Sequence, residues 1–463
     1  MSEPREQDRP AVVWFRDDLR IADNPALHAA AETGRPVLCV FVWDDETPGL
    51  RAPGAASRWW LHHSLASLAD DLENLGASLS ILRGPSEPTI TGLLRDTDAA
   101  AVFWNRRYGG VERRIDEAVK STAREDGREA TSFGANLLFE PWTIRTGQGT
   151  AFSVYTPFWR ACLAAPAPRK PGPAPRSLHG AALPGTVKAT TLDALGLLPT
   201  HPDWAEGLRE AWEPGEKAAH QQLKRFLADD LGAYRKERDV PGVDATSRLS
   251  PRLRWGELSP HQVWHATEER RDQATAQGAA TFASELGWRE FAYHTLFEHP
   301  DMATVNIHRE YDSFPWPRLH PSALRAWQKG RTGIPLVDAG MRELWRTGVM
   351  HNRVRMVTAS FLIKNLLIDW RHGEQWFWDT LVDADPANNP FNWQWVAGSG
   401  ADAAPYFRVF NPELQREKFD AHGDYVRRWV PEWDTDEYPE PIVDLKETRQ
   451  AALAAYDAVK RSR

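Results

Sequence analysis

Cysteine is nearly absent from the 463-residue chain: Cys39 and Cys162 are the only two, too few for a disulfide framework or a four-cysteine metal site. No run approaches the ~20 apolar residues of a membrane-spanning helix. The charged start, Met1 to Pro10, leads into no apolar leader, so neither a membrane span nor a secretory signal is expected. These absences predict a cytoplasmic protein. Positive charge is also in deficit, since 56 Lys and Arg against 64 Asp and Glu leave a net −8. That balance excludes a uniformly basic coat for nucleic acid but leaves local basic patches open. Missing too is the G-x-G-x-x-G turn after the first strand-like segment that would cradle a dinucleotide pyrophosphate. Gly147-Gln148-Gly149 follows no convincing strand and does not replace it.

What the chain has in abundance is tryptophan, 22 residues beside 18 Phe and 9 Tyr. At about 150 residues per domain its length allows two large domains or three smaller ones. From Ala11 to Phe133, short β-branched or aromatic runs (11–15, 36–43, 78–82, 100–104, 129–133) alternate with amphipathic stretches, the pattern of parallel βαβ units in a doubly wound α/β sheet. Asn24-Pro25 reads as a helix cap followed by the first helical residue. Residues 135–205 turn rich in Pro, Ala and Gly, with APAPRKPGPAPRS at 165–177, and predict an extended interdomain connector carrying Cys162. Beyond it the apolar period becomes helical, as at Leu223, Phe226, Leu227, Leu231 and Tyr234, and again near 281–298, 335–347 and 352–370. The expected organisation is an α/β domain over 1–134, a connector over 135–205 and a large all-α domain over 206–463, ending in a helix at ALAAYDAVKRSR.

Three constellations could carry chemistry. Thr246-Ser247-Arg248-Leu249-Ser250, with Tyr234 and Arg238 upstream, offers hydroxyls, amides and a guanidinium for a phosphate, or equally a helix cap beside a solvated arginine. Glu285, Trp288 and Arg289 lie within one helical turn, either to grip a flat polar substrate or as a core tryptophan with a surface Glu–Arg pair. From Met341 to Gln375, six Lys/Arg (342, 346, 353, 355, 364, 371) face three acids (343, 369, 374), so an anionic partner is plausible there. Asn352, Arg353 and Arg355 stand at the mouth of an apolar helix, and buried arginines need partners, for which Asp383 and Asp385 are candidates. No carboxylate–histidine cluster completes a metal site around those aspartates, and no metal is expected.

Several of these motifs, in this order, resemble the photolyase/cryptochrome family over nearly the whole chain: WFRDDLRIADNPAL at 14–27, TSRLS, ELGWREF, MHNRVRM, LVDAD, NWQWVAGSGADAAPYFR and FNP at 410–412. The resemblance implies an N-terminal domain holding an antenna pigment and a helical domain holding FAD. It implies that Tyr234, Thr246, Ser247, Arg248, Leu249, Ser250 and Arg289 hold the phosphates and ribityl chain. Arg355, Asp383 and Asp385 would lie about the isoalloxazine and adenine, with Asn389 at flavin N5. It implies a pocket for a cyclobutane pyrimidine dimer lined by Glu285, Trp288, Asn352, Met356 and Trp395, with Arg238 and Arg353 on the flanking DNA phosphates. Trp393, Trp370 and Trp316 match electron-relay tryptophans, and Glu112 matches a residue that contacts a methenyltetrahydrofolate antenna, which is expected in preference to a deazaflavin.

The implied activity is a deoxyribodipyrimidine photo-lyase, a monomer acting on UV-damaged DNA with no membrane partner. An amide at Asn389 and pocket residues other than histidine favour dimer repair over a cryptochrome-type photoreceptor or a (6-4) photolyase. An oxidoreductase is disfavoured by the missing nicotinamide fingerprint. Pro390-Phe391-Asn392, where many dimer photolyases carry small residues, points to a distinct bacterial subclass, and Val111 replaces a polar neighbour of the antenna acid.

Overall fold

A computed structural model describes residues 6–403 and 408–461. Ala404 to Phe407, which belong to the NWQWVAGSGADAAPYFR motif, lie outside the described residues, as do the first five and last two. The five expected strands form as β1 (Ala11–Phe15), β2 (Val37–Trp43), β3 (Leu79–Arg83), β4 (Ala101–Asn105) and β5 (Glu129–Phe133). They make one parallel sheet in the order β3-β2-β1-β4-β5. Strands β1, β2 and β4 are buried at every residue, as parallel strands covered on both faces must be, while the edges β3 and β5 mix buried and exposed positions.

The two-residue period of the strands divides their side chains between two cores. Val13, Phe15, Cys39 and Phe41 meet α1 (Pro25–Glu32) and α2 (Ala55–Asn74), whereas Val12, Trp14, Leu38 and Val40 meet α3 (Ser86–Asp96) and α4 (Gly110–Glu125). The Asn24 side chain accepts from the Leu27 amide at 3.1 Å and starts α1. The first core continues into the helical half through Leu208, Trp212, Trp255 and Val382. One core therefore serves both halves of the chain.

The connector is not simply extended. Its first part forms α5 (Tyr155–Ala164), because Tyr155, Phe158 and Cys162 recur at three- and four-residue steps and bury one face. The proline-rich stretch begins only after this helix. It then runs back along the sheet, where the Val37 amide donates to His179 O (2.7 Å) and the Thr190 amide to Ile81 O (2.8 Å). Gly180 sits where a Cβ would strike the backbone of Gly76 and Ala77.

From Glu206 onward helices are the only regular elements among the described residues. The Leu223–Tyr234 stripe is buried throughout, but on three pieces: a helix to Arg225, a π-helical turn over Phe226–Asp230 and a short helix Tyr234–Glu237. The stretch expected as one helix over 352–370 is likewise divided. Helix Asn352–Ser360 passes into a π-helical turn, Phe361–Asn365, and the chain breaks at Leu367 (φ 49°). Asp369 then caps the next helix, Trp370–Thr380, through the Arg371 amide. The final helix spans Leu445–Arg461.

Candidate active site

Arg355, Asp383 and Ser250 arrive from three separate segments and meet. Arg355 donates to both Asp383 oxygens (3.2 and 2.8 Å), and Ser250 Oγ donates to Asp383 Oδ2 at 2.7 Å. Arg355 Nε donates as well to Met350 O at 2.7 Å, so all three nitrogens of the guanidinium are engaged and its plane is fixed. Asp385 pairs otherwise: it accepts from Tyr293 Oη (2.7 Å) and from the amides of Ala387 and Asn388 (2.8 and 2.7 Å). Of the two aspartates expected to serve the arginines, one does. Arg353 instead finds Asp239, at 2.8 Å, a residue that local pattern did not single out.

The turn Thr246–Ser250 is held by Gln222 Nε2 donating to Ser247 O (2.9 Å) and by Leu249 N reaching Ser247 Oγ (3.4 Å). Arg248 takes a left-handed φ of 52° and lies over the Trp212 ring, 4.4 Å from its centroid. Burial lowers its pKa against the pull of Asp244, so an anion placed beside it would gain a poorly solvated cation. Tyr234 is buried edge-on against Phe226 and Phe282, and burial raises its phenol pKa. Asn389 gives both amide contacts to Glu374, 3.0 Å to its backbone oxygen and 2.8 Å to Oε1. Among the described residues no group donates to Asn389 Oδ1. This set, with one unfilled acceptor, hydroxyls and fixed guanidinium edges, suits a ligand that carries phosphates and a ring N–H, as FAD does.

Next to it, helix Ala276–Glu298 presents Glu285 and Trp288. Glu285 pairs with Arg238 across the site, not with Arg289. Burial works against the Arg238 cation, yet Glu285 and the Tyr234 phenol hold its pKa above the ordinary arginine value. Trp288 stacks on Tyr155 of α5, with ring centroids 3.7 Å apart and planes within 10°. Tyr155 Oη is fixed in turn to Ser284 O at 2.7 Å. Asn352 begins its helix exposed, Met356 Sδ lies 4.0 Å from Arg353 Nη1, and Trp395 is half-buried on the helix Asn388–Ala397. Arg353 Nε is buried with no partner, and its guanidinium lies 4.5 Å from the Phe419 ring centroid.

The three matched tryptophans share one core, Trp370 and Trp393 buried and Trp316 packed at its margin. Trp393 meets Phe377 edge-on at 4.9 Å and Trp327 at 6.3 Å. Gly373 makes room for it, since a Cβ there would run into the indole. Trp370 donates to Asn306 Oδ1 at 3.0 Å, and Trp316 lies 4.2 Å from Phe314 between ring centroids.

A narrow cleft lies between the halves, with Glu112, Arg107 and Asp17 on one wall and Arg254, Arg289 and Tyr293 on the other. Arg289, expected beside the cofactor phosphates, donates here to Asn136 O at 2.8 Å. Arg107 carries two buried nitrogens, Nε and Nη2, with no partner. Among the described residues no group of His, Cys, Asp and Glu could hold a metal, and no helix is long and apolar enough to cross a membrane. Tyr155, Asp239 and the Glu374 carboxylate are the site residues that sequence reasoning missed. Tyr155 and Asp239 reach partners 129 and 114 residues away, and Glu374 meets Asn389 from the preceding helix 15 residues earlier, so no helical or strand spacing could signal them.

Comparison with known proteins identifies the family. Residues 11–176 match the family described as DNA photolyase, and residues 282–435 match the FAD binding domain of DNA photolyase. A deoxyribodipyrimidine photo-lyase of Agrobacterium fabrum is 47% identical over 98% of this chain and 98% of its own. Cryptochrome-1 of Arabidopsis thaliana is 36% identical over 95% of this chain and 69% of its own. The crystal structure of a bacterial class III photolyase from Agrobacterium tumefaciens superposes with a TM-score of 0.94 at 46% identity, covering 99% of both chains. The two domains, the motifs in order and the full-length likeness place this chain in the photolyase/cryptochrome family.

Proposed function

We propose that this chain is a light-driven lyase that returns cyclobutane pyrimidine dimers in cytoplasmic DNA to the paired bases, with 1–134 as its antenna-binding unit and 206–463 as its FAD- and DNA-binding unit. The observation that carries the reading is the assembly, beside the Arg355–Asp383–Ser250 cluster, of one acid, one stacked indole and two arginines: Glu285, Trp288, Arg238 and Arg353. Reduced FAD, when bound and excited by light, supplies the electron that opens the dimer and takes it back. Tyr234, the Thr246–Ser250 turn, Arg289, Arg355, Asp383, Asp385 and Asn389 are the residues assigned to hold it.

The remaining tasks belong to this chain's side chains. Photolyases are among the enzymes that take their target out of the stack, and an extruded dimer loses base stacking that aromatic faces can replace. Trp288, its rear face already covered by Tyr155, offers its other face to the dimer, and Trp395 covers the opposite side. Asn352 and Met356 complete the wall. Glu285 lies within reach of a pyrimidine carbonyl, where negative charge develops; there it stabilises that charge by sharing a proton, and leaving Arg238 is part of taking up that role. Arg238 and Arg353 then grip phosphates, which positions the lesion without reading sequence. Trp393, Trp370 and Trp316 form the electron path from the surface that restores reduced cofactor. The interdomain cleft takes a folate antenna at Glu112, because Arg107 offers two unfilled donors to the carboxylates that a folate carries.

The test is anaerobic. Reduced protein is mixed with UV-irradiated oligothymidine, illuminated with blue light, and followed by recovery of ultraviolet base absorbance against a dark control. Light-dependent recovery over many turnovers is expected. Its absence in protein that holds reduced FAD would overturn the dimer as substrate, and recovery on a (6-4) photoproduct instead would reassign it.

A further inference from the structure

We infer that Arg51, which belongs to the N-terminal half, is a positioning residue for the cofactor: by fixing Glu374 it decides which pole of the Asn389 amide is presented to the flavin. The inference rests on the FAD reading above. Arg51 Nη1 and Nη2 donate to the two carboxylate oxygens of Glu374 at 2.6 and 2.8 Å, a fork-to-fork pair across the domain boundary. The Arg51 guanidinium also lies 3.9 Å from the Trp378 ring centroid. Neighbouring residues hold its loop in place, with Trp378 Nε1 donating to Ala52 O (2.9 Å) and Ala55 N to Asp379 Oδ1 (2.9 Å).

Glu374 is 2% exposed. A buried carboxylate paired in this way is an acceptor only, so the Asn389 group that faces it must be the NH₂. Both contacts on Nδ2 then go to Glu374, and Oδ1 remains as the pole presented to the site. Amide orientation is decided by the hydrogen-bond network around it, and here the network begins at Arg51. The chemistry of flavin N5 gives the orientation its meaning. N5 of oxidised flavin is an acceptor, whereas N5 of reduced flavin carries a hydrogen. An Asn389 that offers oxygen therefore favours the reduced cofactor.

Without Arg51 the Glu374 side chain loses the partner that fixes it, and the Asn389 NH₂ keeps only one anchored acceptor, the Glu374 backbone oxygen at 3.0 Å. The amide is then freer to turn over, put its NH₂ toward N5 and favour the oxidised state.

The experiment compares flavin-loaded wild type, Arg51→Met, Arg51→Lys, Asn389→Ala and the double variant Arg51→Met/Asn389→Ala. It reads the oxidised-to-reduced flavin ratio from the absorbance spectrum at a fixed solution potential. Arg51→Met is expected to raise that ratio about tenfold, the value of one well-placed hydrogen bond. Arg51→Lys should restore much of the difference, and Arg51→Met should change nothing further when Asn389 is already Ala. An unchanged ratio in Arg51→Met that retains FAD overturns the inference, as does a full tenfold effect persisting without Asn389. If Arg51→Met does not fold, the smaller shift of Arg51→Lys, again absent without Asn389, carries the same test, and no shift overturns the inference. Wild type that holds no FAD, or a ratio indifferent to Asn389→Ala alone, would instead sink the placement of Asn389 at N5.

Discussion

Replacing Tyr155 with leucine removes the ring that backs Trp288 and the hydroxyl that anchors it to Ser284. A stacked pair contributes about 1 kcal/mol beyond burial, so dimer-containing DNA is expected to bind about fivefold more weakly in the dark. Tyr155→Phe keeps the ring and should lose less. Fluorescence anisotropy with damaged and intact duplexes separates the two, and equal losses on both duplexes would remove the stack from lesion recognition. Asp239 acts in the opposite sense. It neutralises Arg353 at 2.8 Å and lies 4.0 Å from Arg238, so DNA phosphates must displace it. Asp239→Asn is expected to tighten binding to undamaged DNA and steepen the logarithmic salt slope by up to about one. An unchanged slope would mean that these arginines do not meet phosphates. Glu285→Ala should lower repair yield per absorbed photon while flavin content stays constant; an unchanged yield would end its charge-stabilising role.

At the scale of elements, helix Ala276–Glu298 carries Glu285 and Trp288 on one side and Glu290 on another. Burial drives the Glu290 carboxyl up to about 7, against the pull of Arg289 and the amides of Phe139 and Leu138. Its folded pKa thus lies above the unfolded value, so the native state holds the extra proton. The associated stability is present in full below about 4.5 and is lost as pH rises through about 7. Relative to Glu290→Gln, which stays neutral, wild type should lose stability across that window by at most about 1.4 kcal/mol per pH unit. Thermal melts of both proteins at several pH values check it; parallel curves would place the titration elsewhere.

The elements differ in how far the sequence revealed them. The strands were legible because β1, β2 and β4 are apolar on both faces and each is bounded by turn residues. Helix α5 was not, because the proline-rich stretch after Ala165 coloured the whole segment although Tyr155, Phe158 and Cys162 keep helical spacing. The breaks at Phe226–Asp230 and Phe361–Asn365 were hidden because a π-helical turn preserves burial while shifting register. In the site, motif residues such as Arg355 and Asp383 could be named beforehand. Their partners Asp239, Tyr155 and Glu374 could not, since tertiary packing alone brings them in.

For the whole molecule, the sharing of one core by sheet and helices has a direct test. Glu257, fully buried, accepts from Trp60 Nε1 of α2 (2.9 Å) and from Gly215 N (2.7 Å), and pairs with Arg252 at 2.7 Å. Cutting the chain before Glu206 would strip this acid of its two α2 donors, Trp60 and Ser64, and bare Leu208, Trp212, Trp255 and Val382. Such an exposed apolar face drives association. Residues 206–463 expressed alone are therefore expected to aggregate, and to become soluble when co-expressed with 1–205. A monomeric, cooperatively melting fragment would contradict a common core.

The same clamp has an optical meaning. The segment from Arg51 to Ser57, a loop running into the first turn of α2, grips Glu374, Trp378, Asp379 and Leu381, so the two halves have no hinge at that seam. Under the proposed function, pigments seated at Glu112 and at Asn389 would therefore keep one separation and one angle between their transition dipoles in every copy of the protein. Excitation passing from one to the other depends steeply on both quantities, and its efficiency is set when the chain folds, not when light arrives.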